Sequence, residues 1–448
     1  MIWEEGKFQF LGVMDALAII LWISILLNSI NSFYSKNIQL SHFRYFKNSF
    51  YAKFISALVF SLIYIVFYAG GDSTAYWDTA QKLNNLFFDS PSRYFSELFN
   101  NDPLRERYIN FDFNKTGMPP DWIYKEDEAW FAARIFSVLT FITFKSYFAM
   151  TMITSYVSFR VSWLLYEFVL KYKLFSEKTA AIGVLFLPST CFWCTGITKD
   201  MIIYSCVIYL LIQLFTFLNP KDLKQYRNIF FGILCIYLIY NIRDFMLITA
   251  LGPFFMALGA RWSRSQNSGF SKLMIQLIFL SVVFFAMISF LGSQKGQEFA
   301  TEAELIQKDL KTNSTYGENK YDLGITEFSS SGMLRSMPIS IYTAFYRPYI
   351  WEAKSLFIQI SSLEALFFVL ITIRFLFFRN PFSGLKDIRN NELLMASLVF
   401  SIILGFFAGF TSGLFGVLVR FKAPLLPFLF LVLMYNKDEV VLNLETKS

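Results

Sequence analysis

The chain has 448 residues, 55% of them hydrophobic and only 16% charged, with a formal net charge of +7. A soluble protein has about a quarter of its residues charged, so a soluble domain is excluded; the apolar residues fall in runs near the ~20 residues that cross a bilayer core. The positive charge does not point to nucleic acid, because Lys and Arg sit in short connections between apolar runs, where membrane topology calls for them.

The predicted fold is all-α: a polytopic helical membrane protein of about eleven transmembrane helices, one integral membrane domain over 1–448. The N-terminus, Met-Ile-Trp-Glu-Glu, is acidic and carries no cleavable signal pattern. A first span over 10–30 leads into a connection with Lys36, Arg44, Lys47 and Lys53 and no acid, then a second span over 54–69. Residues 70–145 form a first outer loop with amphipathic helices, ending in an outer-face segment, 130–144, that lies half-embedded. Spans follow at 146–170, 179–193, 201–218, 228–240, 245–260 and 273–291. A second outer loop over 292–356 holds an amphipathic helix at 298–311, resting on the membrane or covering a cavity, a flexible joint at 326–332 and an outer-face dip at 333–352. The last spans are 357–378, 393–410 and 421–435.

Orientation follows from charge. Lys171, Lys173 and Lys178, then Lys221, Lys224 and Arg227, then Arg261, Arg264 and Lys272, then Arg379, Lys386 and Arg389 join the first basic connection on the cytoplasmic side. By parity the N-terminus lies outside and the tail 436–448 inside. The three irregular places, 130–144, the turn at Arg243-Asp244 and 333–352, all fall on the outer side, and irregular backbone at that depth needs protein or a water-filled cavity to satisfy it. No internal repeat or matched pair of broken helices marks two transporter halves.

Cys191 and Cys194 form a CxxC, but no second pair follows and His42 is the only histidine, so these cysteines, with Cys206 and Cys235, read as small apolar fillers rather than zinc ligands.

Several ionisable residues gather at the expected outer boundary: Asp72 in Gly70-Gly71-Asp72-Ser73-Thr74-Ala75-Tyr76, Arg134, Lys199 and Asp200, Arg243 and Asp244, Arg347 and Glu352, and Arg420 with Lys422. An embedded cation costs about 2.5–3.5 kcal/mol at mid-membrane and less near the boundary, so such groups face a cavity or a partner. One reading is an anion site: Arg134, Lys199, Arg243, Arg347, Arg420 and Lys422 would hold the phosphate of a lipid at head-group depth. The other is local pairing of Lys199 with Asp200, Arg243 with Asp244, and Arg347 with Glu352, which leaves Arg134, Arg420 and Lys422 unaccounted for. Asp72 either caps the helix that carries Tyr76 or serves as a general base. Asp78 could join it at a divalent metal, although a spacing from 72 to 78 does not put both on one helix face; no metal or other cofactor is firmly implied. Tyr76, Trp77, Trp122, Tyr124 and Trp130 either stack sugar rings or form an interfacial aromatic belt.

Gly71-Asp72-Ser73 with Tyr76, Lys199-Asp200 after Pro188-Ser189 and Phe192-Trp193, and Arg420 ahead of Pro424 and Pro427 resemble the GT-C superfamily of multi-pass glycosyltransferases; the layout, with Arg347-Pro348 and Trp351-Glu352, is also similar to the Wzy-like polysaccharide polymerases of bacterial envelopes. The resemblance departs in one respect: the loop with Asp72 follows the second span, where GT-C enzymes place it after the first. It implies a bacterial inner-membrane enzyme with a polyprenyl-phosphate-linked sugar as donor and a glycan or glycoconjugate as acceptor. It implies Asp72 as base, with Lys199, Arg243, Arg347 and Arg420 as phosphate contacts; Arg134, Asp200, Glu352 and Tyr76 complete the expected substrate-binding set. Two other readings stay open: a transporter or lipid flippase with an anion-binding cavity, and a non-catalytic subunit of an envelope assembly complex.

Overall fold

A computed structural model describes residues 10–68, 70–99, 104–217, 226–312, 320–325, 327–377 and 381–436. Among them the fold is all-α, and ladder-type pairing is limited to an isolated antiparallel bridge between Lys320 and Leu414. Eight helices among the described residues are long and apolar enough to cross a membrane, or nine if one bent pair counts as a span. The chain is an integral membrane protein.

Among the described residues the expected count of eleven is not confirmed, for local reasons. Residues 179–193 do not form one helix: they divide into α9 (Glu177–Leu185) and α10 (Pro188–Trp193). Pro188 lacks an N–H and disfavours helical backbone at Leu187 before it, which explains the break. The helix at 228–240 is present as α12 (Tyr226–Ile242), at 17 residues short for a full crossing. The second span begins earlier than expected. A 3-10 turn, Ser41–Tyr45, runs straight into α2 (Phe46–Val66), so Lys47 and Lys53 lie on the helix and not in a loop. Lys53 is wholly buried, its Nζ donating to Ser158 Oγ at 2.8 Å. The first helix, α1 (Val13–Asn37), buries only 17% of its apolar window and leaves Leu17, Ile20 and Leu21 exposed, as a lipid-facing helix does.

The chain divides into two compact units, the first made of Met1–Ser162, Cys191–Cys206 and Tyr237–Arg243, the second of Trp163–Thr190, Val207–Ile236 and Asp244–Ser448. In the first unit the outer loop is a packed cluster of α3 (Asp72–Asp89), α4 (Pro91–Phe99), α5 (Leu104–Ile109), α6 (Asp121–Lys125) and α7 (Asp127–Ile142). Its aromatic residues make its core: Tyr124 stacks on Trp130 at 5.2 Å, and Tyr76, Trp77, Tyr124 and Trp130 are all buried. Neither sugar stacking nor a membrane belt is needed to explain those four; Trp122 is the exposed member. Buried polar groups are tied within the cluster, Arg107 donating to Tyr124 O and Asp127, and Lys82 to Asp78 and Met118 O. The expected half-embedded segment corresponds to α7, which meets α8 (Tyr147–Lys171) at a bend of 110°. Phe144 and Lys145 take left-handed backbone there, and Trp77 Nε1 holds the turn by donating to Lys145 O at 2.8 Å.

In the second unit α19 (Glu392–Thr411) is the central helix, packed by α13 (Phe245–Arg264), α16 (Ser330–Tyr346) and α21 (Leu426–Met434). Gly405 and Gly409 let α16 come close: a Cβ on Gly409 would stand 2.0 Å from Ser340 O. Small residues at such crossings do in lipid what hydrophobic burial does in water. α14 (Gly269–Gly292) packs on α13. The amphipathic helix expected at 298–311 exists as α15 (Gln294–Thr312), and it docks on α19 through Phe299, Ala300 and Ala303, with Gln307 donating to Phe410 O at 3.1 Å. The joint expected at 326–332 is instead a helix start: Thr326 lies outside the described residues, and Ser329 caps α16 by accepting from Gly332 N. Beyond it α16 is continuous through Pro338 to Tyr346, where a dip was expected.

Candidate functional site

Asp72 is placed by an unusual turn. Gly70 and Gly71 have φ of +130° and +135°, which only glycine adopts readily. A Cβ on Gly71 would also strike the Tyr64 ring at 2.9 Å. Gly71 takes the capping position of α3 and Asp72 is the first helical residue. Asp72 thus stands one position past the cap residue itself. A carboxylate at this position still gains from the partial positive charge of the helix start.

Two carboxylates come within reach of one ammonium, and a third lies in electrostatic reach of one of them. Lys199 opens α11 (Lys199–Phe217) and lies 3.9 Å from Glu126 and 3.6 Å from Glu128, the residues around the start of α7. Asp72 and Glu128 are in electrostatic reach of Glu126. Burial pushes the Glu126 carboxyl above its ordinary range; Lys199 opposes the shift, while Asp72 and Glu128 add to it. The group is acid-rich, and Lys199 occupies the place a cation would take among these carboxylates. Among the described residues no three His, Cys, Asp or Glu side chains form a metal-holding set. Asp78 is committed to Lys82 at 2.5 Å, and burial pushes its carboxyl up.

The local pairs expected for Lys199 and Arg243 are replaced by long-range ones. Arg243, at the end of α12, donates to Asp200 at 2.5 Å, and both side chains are nearly buried. Asp244 instead faces Lys295 at 3.9 Å. Arg134 is also buried, donating to Glu97 O at 3.0 Å across Phe131; its contacts are those of an anchor for α4. Tyr76, 1% exposed, packs against Trp122 and Phe136 inside the loop cluster.

The remaining predicted site residues belong to the second unit. Arg347 and Glu352 do form the expected local pair, through two parallel hydrogen bonds, with the guanidinium also over the rings of Tyr321 and Phe415. Arg420 lies over Phe421. Lys422 is buried and donates to Arg347 O at 2.6 Å. Sequence reasoning missed Glu126, Glu128 and Glu364. The last had a signal, as the only acid within the apolar run Leu356–Phe377. The four cysteines are buried thiols, in keeping with a filling role.

No protein-family model matches the chain, and no curated protein or solved structure matches it either.

Proposed function

We propose that this protein is a membrane glycosyltransferase or polysaccharide polymerase. It moves a sugar from a polyprenyl-phosphate carrier to a glycan or glycoconjugate acceptor at the outer face of a bacterial inner membrane, with its N-terminus outside and its C-terminus in the cytoplasm. The supporting observation is the pairing of Lys199 with Glu126 and Glu128, with Asp72 in electrostatic reach of Glu126. Asp72 follows shortly after the apolar α2, and Lys199 begins the apolar α11, so the group belongs to the ends of candidate spans, where a lipid head group is met.

In this reading Asp72 takes the proton of the acceptor hydroxyl as the new glycosidic bond forms. Lys199 exchanges its exposed glutamates for the donor phosphate and offsets the charge that develops on it as the sugar leaves. Arg243 and Asp200 hold the start of α11, and so Lys199, in place. Arg347 is left out of this chemistry, since it is already clamped to Glu352.

The test is transfer by purified protein in detergent, without an ion gradient, from a polyprenyl-phosphate sugar. Asp72→Asn should lower turnover by roughly 10²–10⁴, the range for a general base, with the elution profile of the folded protein unchanged. Undiminished transfer by the variant would remove Asp72 from the chemistry, and no transfer by the wild-type protein from any such donor would end the proposal.

A further inference from the structure

A second ionisable group lies inside the apolar part of the second unit, and the proposed transfer does not use it. Glu364 stands near the middle of α17 (Leu356–Phe377) and is 8% exposed; Lys422 stands where α20 (Phe415–Lys422) meets the turn Ala423–Leu425, and is 2% exposed. Both helices belong to candidate membrane spans. The Glu364 carboxylate accepts the Ser189 backbone N–H at 3.1 Å and the Ser189 hydroxyl. Lys422 lies in electrostatic reach of Glu364 while its ammonium donates to Arg347 O. Next to Ser189, the Thr190 hydroxyl donates to Ala423 O at 3.0 Å.

Three breaks in the helical chain meet around these side chains: between α9 and α10, after α16 at Arg347, and between α20 and α21. Broken backbone at membrane depth is tolerated where polar groups satisfy it, and Lys422 and Thr190 each supply a donor to such a carbonyl. Glu364 shares in that work by accepting the Ser189 N–H at the start of α10, but a neutral acceptor would meet that N–H as well. A buried charge is also a weak source of stability, because desolvation offsets most of what its neighbours contribute. Ionisable residues in membrane helices are by default functional.

The ligand that fits is a proton. One carboxylate with an ammonium in electrostatic reach is a poor site for a metal cation, and it repels an anion. Ser189 suits both protonation states: its hydroxyl donates to the carboxylate and, turned about its C–O bond, accepts from the carboxylic acid, while its N–H keeps its acceptor in either state. The other charged groups on α17 and on elements packed against it are these: Glu352 is held by Arg347, Arg335 meets Glu327 at 3.3 Å, Arg420 lies over Phe421, Arg374 is in the last turn of α17, and Lys386, Asp387 and Arg389 belong to α18 (Pro381–Asn390), which follows that end. Tyr346 is bonded to Thr372, two turns further along α17.

We infer that Glu364 is an intramembrane proton-binding site, served by Ser189 and counterbalanced by Lys422, so that the second unit takes up and releases one proton there. The uptake balances as carboxylate plus proton giving carboxylic acid.

The experiment is infrared difference spectroscopy of the full chain in lipid nanodiscs between acid and alkaline pH, reading the C=O stretch of protonated carboxyls. The wild-type protein should show a titrating band that Glu364→Gln lacks. Lys422→Met should move its midpoint, and Ser189→Ala should shift the band itself by removing a hydrogen bond from the acid. Identical difference spectra for wild type and Glu364→Gln would overturn the site. Should Glu364→Gln fail to fold, Ser189→Ala decides alone: a shifted band supports the site and an unshifted one overturns it.

Discussion

Arg243 donates to Asp200 at 2.5 Å and not to Asp244, its neighbour in sequence. The pair joins the end of α12 to the first turn of α11, where the adjacent Lys199 meets Glu126 and Glu128. Its two side chains are only 11% and 5% exposed. Loss of one partner therefore strands a buried charge, which costs about 3–5 kcal/mol where the burial is complete. Asp200→Asn should lower thermal stability in detergent by about that much, and Asp200→Asn with Arg243→Gln should recover part of it. A single variant as stable as the wild type would show that the pair does not hold the helix ends together.

The Glu126 carboxyl titrates above its ordinary value of 4.5 in the folded protein. The folded state then binds a proton more tightly than the unfolded one, so this contribution to stability is full below 4.5 and is lost as pH rises through the folded value. Glu126→Gln removes that loss. Melting curves of variant and wild type measured from pH 4 upward should diverge in the variant's favour as pH increases; a constant offset would contradict the shift.

Gly409 allows the closest approach of α16 to α19, with a Cβ there only 2.0 Å from Ser340 O. Gly409→Ala must push the two helices apart, and overpacking of this kind costs about 1–3 kcal/mol. Gly292, at the end of α14, has open space around its position and is the control. Equal melting temperatures for Gly409→Ala and Gly292→Ala would argue against the tight crossing.

Trp77 fastens the 110° bend between α7 and α8 through Lys145 O at 2.8 Å. Trp77→Phe keeps most of the buried ring and deletes the donor, which should cost about 0.5–1.5 kcal/mol. Protease cleavage or hydrogen exchange at 143–146 should rise in the variant; unchanged protection there would show that the bend is held by other contacts.

Much of the architecture was legible in sequence. The spans at 10–30, 245–260, 273–291, 357–378 and 393–410 correspond to long apolar helices, and the amphipathic helix at 298–311 is present. Pro188 marked the break after α9, yet the apolar run around it suggested one continuous crossing. The aromatic loop residues misled in another way: Tyr76, Tyr124 and Trp130 bear polar tips but fill the core of a folded loop, because helices α3 and α7 pack on each other there. At the charged positions, Arg347 and Glu352 were readable as a pair because few residues separate them and both flank one turn.

The sequence by itself determined that this is a polytopic helical protein. An apolar run about 20 residues long needs no particular partner to be driven into a bilayer, since lipid is its solvent and its backbone is satisfied within the helix. Only the tertiary structure decided which charges meet. Asp200 with Arg243, Lys199 with Glu126 and Glu128, and Glu364 with Ser189 and Lys422 each join residues far apart in the chain. Such pairings depend on where helix ends and breaks come to rest, and hydrophobic periodicity carries no record of that.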